Sequence, residues 1–196
     1  NIPLIPYLGL NYLLFQKQKI SVKASISRNY RQPTLNDLYW QPGGNIDLLP
    51  EQGLSSDAGI SHHFKHKNLM INNEFTFYYS EIENWIIWLP TVQGFWQPEN
   101  IQKVQSKGLE YHLKASLKVK KVLFNINTNY AFTRSTNRGS SKKWGENTVG
   151  KQLPYVPIHS FNFYIKTTYK GFFISYIHNS YSERFTTSSN DISDLP

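Results

Sequence analysis

The sequence predicts an all-β fold: a fragment of an antiparallel transmembrane β-barrel, about eight strands with short turns at one end and long loops at the other. Three observations carry this. Segment after segment alternates apolar and polar residues with a period of two, which gives a strand one apolar and one wet face. The connections alternate in length, two to four residues and then about twenty. Aromatics make up 15% of the chain, with 13 Tyr, 12 Phe and 5 Trp, while the helix formers Ala and Glu are scarce.

The first strand is expected from Leu4 to Phe15, with Leu8, Leu10, Tyr12 and Leu14 on one face. Gln16 to Lys19 is a short polar turn. Ile20 to Ser27 then alternates without error, Ile20, Val22, Ala24 and Ile26 against Ser21, Lys23, Ser25 and Ser27. A long first loop spans Ser27 to Gly59, where Pro33, Pro42, Gly43, Gly44 and Pro50 argue against regular structure. Ala58, Ile60, His62 and Phe64 begin the next alternation, and Lys65 to Asn68 turn the chain. Leu69, Ile71, Phe75, Phe77 and Tyr79 follow on one face, interrupted only by Asn73.

A second long loop is expected from Glu83 to Gln105, rich in Trp and Pro. Leu109 to Lys118 and Val122 to Thr133 form a pair of strands about Lys120 and Lys121. A third long loop runs from Ser135 to Pro157. Phe161, Phe163 and Ile165 mark a seventh strand, Tyr169 to Gly171 a turn, and Phe172 to Glu183 an eighth strand with weaker alternation.

Alternating loop length separates a barrel from a soluble β-sandwich, because a sandwich has no reason to gather its long loops at one end. No apolar run approaches the roughly 20 residues of a spanning helix, which leaves a barrel possible. Lys23, Glu74, Glu110, His112, Lys114 and Lys166 on the wet face suit a hydrated lumen, and Tyr12, Tyr79, Tyr130 and Tyr169 on the other suit interfacial girdles. The net charge of +8 raises nucleic acid as a partner, but the lysines cluster at short turns, so no nucleic-acid partner is expected. There are no cysteines, hence neither a disulfide framework nor a cysteine metal site.

No catalytic constellation emerges, so the chain is not expected to be an enzyme, and no cofactor or metal is expected. Asp57, Glu74 and Glu110 fall on different strands, and no nucleophile elbow is present. His62, His63 and His66 form a cluster beside a short turn and read as polar strand-end residues rather than metal ligands. The candidate ligand contacts are the loop aromatics Tyr39, Trp40, Trp85, Trp88, Phe95 and Trp96, since aromatics supply large rigid contact area. Arg31, Arg134, Arg138, Lys142 and Lys143 gather at the same end, where membrane lipid phosphates are the expected partner.

Several motifs resemble one family. Ser27-Arg28-Asn29-Tyr30-Arg31, Pro33-Thr34-Leu35-Asn36-Asp37-Leu38-Tyr39, the run Gly44 to Glu51, and Asp57-Ala58-Gly59 resemble the barrel of TonB-dependent outer-membrane receptors. Pro98-Glu99-Asn100 leading to Gly108-Leu109-Glu110, Gln152 to His159, and Ser182 to Thr186 resemble the same family in the same order. The resemblance implies residues 1–196 are part of a larger barrel of about 22 strands, with the plug domain and final strands absent. It also implies a localisation in the outer membrane of a Gram-negative bacterium and a small-molecule nutrient as ligand. The implied partners are outer-membrane lipid or lipopolysaccharide, and the TonB protein through the missing N-terminal part. Cobalamin, ferric siderophores, haem and glycans are the candidate nutrients. The stretch from Trp88 to Asn100 is similar to cobalamin and siderophore receptors. A complete small barrel with a structural or adhesion role, and a soluble binding module, stay open as alternatives.

Overall fold

The computed structural model describes residues 3–139, 148–191 and 193–195. Lys142 and Lys143 lie outside them. An eight-stranded antiparallel meander fills most of the structure: β1 (Tyr7–Phe15), β2 (Ile20–Arg31), β3 (Glu51–His66), β4 (Leu69–Pro90), β5 (Trp96–Val119), β6 (Val122–Asn137), β7 (His159–Tyr169) and β8 (Phe172–Tyr181), in sequence order across the sheet. A short helix, α1 (Leu35–Tyr39), and a two-stranded ribbon of β9 (Arg184–Phe185) and β10 (Ser193–Leu195) complete it. The sheet is open, its outer strands β1 and β8 each paired on one side.

The period-two pattern becomes two faces because directly paired residues lie on the same side of a sheet. One rung runs Tyr12, Val22, Ile60, Phe75, Tyr111, Tyr130 and Phe161 across seven strands. The Phe75 and Tyr111 rings meet at a tilt of 31° with centroids 4.4 Å apart, a contact worth about 0.5–1.5 kcal/mol beyond burial. Asn73, the polar residue that interrupts this face of β4, accepts a hydrogen bond from the Tyr111 hydroxyl at 2.9 Å. The opposite face is a polar ladder: Ser21 with Ser61, Lys23 with Glu74, Ser25 with Asp57, His63 with Asn72 and His112 with Asn129. Thus His63 is engaged by its cross-strand neighbour.

The turns at one end step down the sheet. Along the rung from Ile20 through His62, Asn73, Leu113, Thr128 and Phe163, the chain turns next to Ile20 itself. It turns only after His66 in β3, and at Val122 in β6 and Tyr169 in β7. Such a progressive stagger is what strand tilt in a barrel produces. Three of these turns are two-residue hairpins, Lys67-Asn68, Lys120-Lys121 and Lys170-Gly171. Each opens on a lysine in the left-handed region, at φ 48, 53 and 46.

At the other end the long-loop expectation needs correction. The stretch Glu83 to Gln105 is mostly strand: β4 and β5 run on to Pro90 and Trp96 and are joined by the tight turn 91–95. Trp85 and Trp88 therefore lie on β4, and Trp96 on β5. The prolines that suggested a loop are tolerated because this extension is a two-stranded ribbon. β3 pairs with β4 no further than Glu83, and β6 reaches β5 no further than Val104, so each strand has a free edge. The first loop is shorter than expected, 32–50, and holds one helical turn after Pro33. Thr34 caps that turn by accepting from the Asp37 N–H at 3.1 Å, while the Asp37 carboxylate accepts from the Thr34 N–H at 2.9 Å.

Buried hydrophobic residues gather at this loop end. Leu48, Ile86, Ile101, Val104 and Leu153 are the buried apolar residues among those described. Apolar side chains away from this end stay open, Phe77 of β4 at 61% and Ile174 of the outer strand β8 at 80% exposure.

Candidate functional site

The β4–β5 ribbon stands between two loops, and the residues that hold it there come from the sequence motifs. Arg31, the last residue of β2, lies directly opposite Glu51, the first of β3. The guanidinium donates twice to the Glu51 carboxylate, both at 2.6 Å, and sits 3.7 Å from Asp37. Glu51 also accepts from the Ile86 backbone N–H at 2.8 Å, and Asp37 from the Trp88 indole N–H at 2.9 Å. One cation and two carboxylates thereby tie the first loop to β4. Burial pushes the Asp37 carboxyl pKa up, but bonds from the Thr34 backbone and hydroxyl, the Trp88 indole and nearby Arg31 outweigh it and hold the group below its ordinary value.

Two amides complete the bracket. Asn100 accepts from the Leu49 N–H at 2.8 Å and donates to its carbonyl at 3.0 Å, imitating a strand partner. Asn45 donates to the Pro98 carbonyl at 3.2 Å. Gly43 packs so close that a Cβ there would collide with the Trp96 carbonyl oxygen. Across the ribbon, Gln152 accepts from the Ser135 N–H at 3.0 Å and pairs with Asn190 through bonds of 2.8 and 2.9 Å. Leu153 joins Ile101 and Val104 in a small core against which Trp85, Ile87 and Val156 pack. Strict alternation would place Ile101 and Val104 on opposite faces. The ribbon turns over between them, where Asn84 adopts φ 56 and one rung is missing from the ladder.

Clefts open on both sides of the ribbon tip. One, about 490 Å³, is lined by Asn36, Trp40, Pro42, Trp88, Phe95 and Trp96. The other, about 580 Å³, lies between Trp88, Trp96, Gln97 and Glu99 on the ribbon and Tyr155 and Thr186–Ser188 beyond it. Of the six aromatics singled out in the sequence, the structure brings together Trp40, Trp88, Phe95 and Trp96. Tyr39 stands apart at 61% exposure, and Trp85 packs into the small core. Sequence reasoning missed Tyr155 and the Thr186–Ser188 wall as cleft residues. The motifs at Gln152–His159 and Ser182–Thr186 were the available signal.

The fold and this rim can be set beside known proteins. The family model described as TonB dependent receptor-like, beta-barrel matches residues 4–195. The chain belongs to the TonB-dependent receptor family. That is a family of transporters and receptors whose members are outer-membrane β-barrels. Among curated relatives, it is 38% identical over 88 residues to the vitamin B12 transporter BtuB of Vibrio vulnificus, covering 44% of this chain and 14% of that protein. It is 30% identical over 96 residues to the vitamin B12 transporter BtuB of Photobacterium profundum, covering 47% and 15%. The aligned part thus spans only about a seventh of those relatives. Among solved structures, the copper transporter OprC superposes with a TM-score of 0.63 at 15% identity, over 88% of this chain and 25% of that one, a likeness of fold alone.

Proposed function

We propose that this chain is part of an outer-membrane active-transport receptor whose β4–β5 tip forms part of the nutrient-binding surface. The reading places residues 1–196 within the barrel of such a receptor, whose plug would engage the TonB protein. The observation that carries the site is the convergence of Trp40, Trp88, Phe95 and Trp96 around clefts at the end of an otherwise polar-lined sheet. Rigid aromatic walls with a few amides and hydroxyls suit a bulky, partly apolar ligand. The two vitamin B12 transporters among the relatives favour a corrinoid over a ferric siderophore or haem.

The membrane reading draws on dimensions. The apolar face of β5 runs from Leu109 to Val119. Ten steps of about 3.4 Å each give about 34 Å along the strand, or about 24 Å of height at a tilt near 45°. That equals the apolar band of an outer-membrane barrel, about 25 Å. The open hydrophobics of mid-sheet then face lipid.

The test is accumulation of labelled cobalamin by cells that express the intact receptor in place of their own. Uptake that vanishes when the inner-membrane energising protein is deleted is the expected result. No accumulation in either strain would reject the corrinoid reading. Cobalamin uptake unaffected by the deletion would reject energy-coupled transport.

A further inference from the structure

Trp88 and Trp96 line both clefts at the ribbon tip. A wall shared by two clefts cannot tilt without narrowing one and widening the other, so what sets the Trp88 indole matters to both. The sheet gives it little help. β3 pairs with β4 no further than Glu83, so at Trp88 the strand is held on one side alone, opposite Pro98 of β5, which has no N–H to donate.

The rest of the hold crosses from the first loop and the start of β3. Glu51 reaches the Ile86 backbone N–H, Asn45 the Pro98 carbonyl, and Asn100 the backbone of Leu49. Among the described residues, the Asp37–Trp88 bond of 2.9 Å is the one of these ties that ends on a side chain lining a cleft. Its direction is fixed from the Asp37 end. One carboxylate oxygen accepts the Thr34 N–H at 2.9 Å and the Thr34 hydroxyl at 2.8 Å, which leaves the other oxygen aimed at the ribbon, where it accepts from the indole. The Asp37 carbonyl accepts from the Asn45 N–H at 2.9 Å, anchoring the turn behind it. Asp37 is buried and lines neither cleft. An ionised acceptor makes the stronger kind of hydrogen bond, and with its N–H so engaged Trp88 offers the clefts ring faces rather than a donor.

We propose that Asp37 is a positioning residue for ligand recognition, setting the Trp88 indole between the two clefts without touching ligand itself. The inference rests on the reading of these clefts as part of the nutrient-binding surface.

The test measures binding to the intact receptor in mild detergent, with labelled cobalamin, haem and a ferric hydroxamate siderophore as separate probes. Asp37→Ala should weaken saturable binding about tenfold, the worth of a hydrogen bond to a charged group. Trp88→Phe keeps a ring but has no N–H, and should lose a similar amount. The double variant should bind no more than about twofold more weakly than Trp88→Phe alone, because both changes remove the same bond. Asp37→Asn keeps an oxygen for the indole and should recover most of the affinity. Thr34→Ala loosens the same helical turn but leaves the indole its acceptor, so its loss should stay within about twofold. Asp37→Ser, whose hydroxyl stops short of the indole, carries the same cycle if the alanine variant does not fold. Losses that multiply in the double variant, an equal loss in Thr34→Ala, or undiminished binding without the carboxylate would overturn the proposal. A wild-type receptor that binds none of the three probes would remove the reading of the clefts and this inference with it. Saturable wild-type binding with multiplying losses would remove this inference alone.

Discussion

Asp37 shows how much one side chain of the shared motif does. It closes the helix cap with Thr34, accepts from the Trp88 indole and faces Arg31. Because its folded pKa lies below the ordinary aspartate value, its stabilisation is complete above about pH 4 and is lost as pH falls through the lower folded value. Acidification below that point is expected to free the first loop from β4. Tryptophan emission of the intact receptor should shift with pH, and the shift should shrink in Trp88→Phe. Glu51 acts beside it. Glu51→Gln keeps an acceptor for the Ile86 N–H but loses the forked pairing with a half-exposed Arg31, a cost of about 1–2 kcal/mol. Faster protease cleavage within residues 32–50, with the rest of the barrel intact, is the expected readout. These residues were legible in the sequence as a family motif. Their role as a bracket was not, because it depends on Glu51 and Trp88 arriving from strands 20 and 51 residues away.

At the scale of elements, the strands with one wet face were read correctly because period two survives every local accident, even Asn73. The β4–β5 ribbon was not, because Pro90, Gly94 and Pro98 are strong loop signals in a sequence. Only the register reveals that both its strands are edges, where proline costs no ladder bond. The hairpins at the other end make their own prediction. Lys120 sits at φ 53, which penalises any residue with a Cβ by about 1–2 kcal/mol. Lys120→Gly in the intact receptor should therefore hold or raise the unfolding midpoint, and Lys120→Val should lower it, as measured by urea titration in detergent.

Across the whole molecule, the ends of the sheet divide the labour. The short turns carry the stagger that accompanies strand tilt, the middle presents one apolar and one polar face, and the long-loop end carries all the buried hydrophobic residues described. The tightest packing among the described residues thus lies at the end that carries the aromatic clefts, and in the proposed reading it preorganises their walls. The motif that identifies the family builds the bracket, and the four converging aromatics gather beside it, with Trp88 belonging to both. The decisive measurement is cobalamin binding to the intact receptor and to Trp88→Ala, Trp96→Ala and Trp85→Phe. Saturable binding that weakens at least about tenfold in the first two variants and is unchanged in the third is the expected result. No saturable binding, or equal affinity in all four proteins, would contradict it.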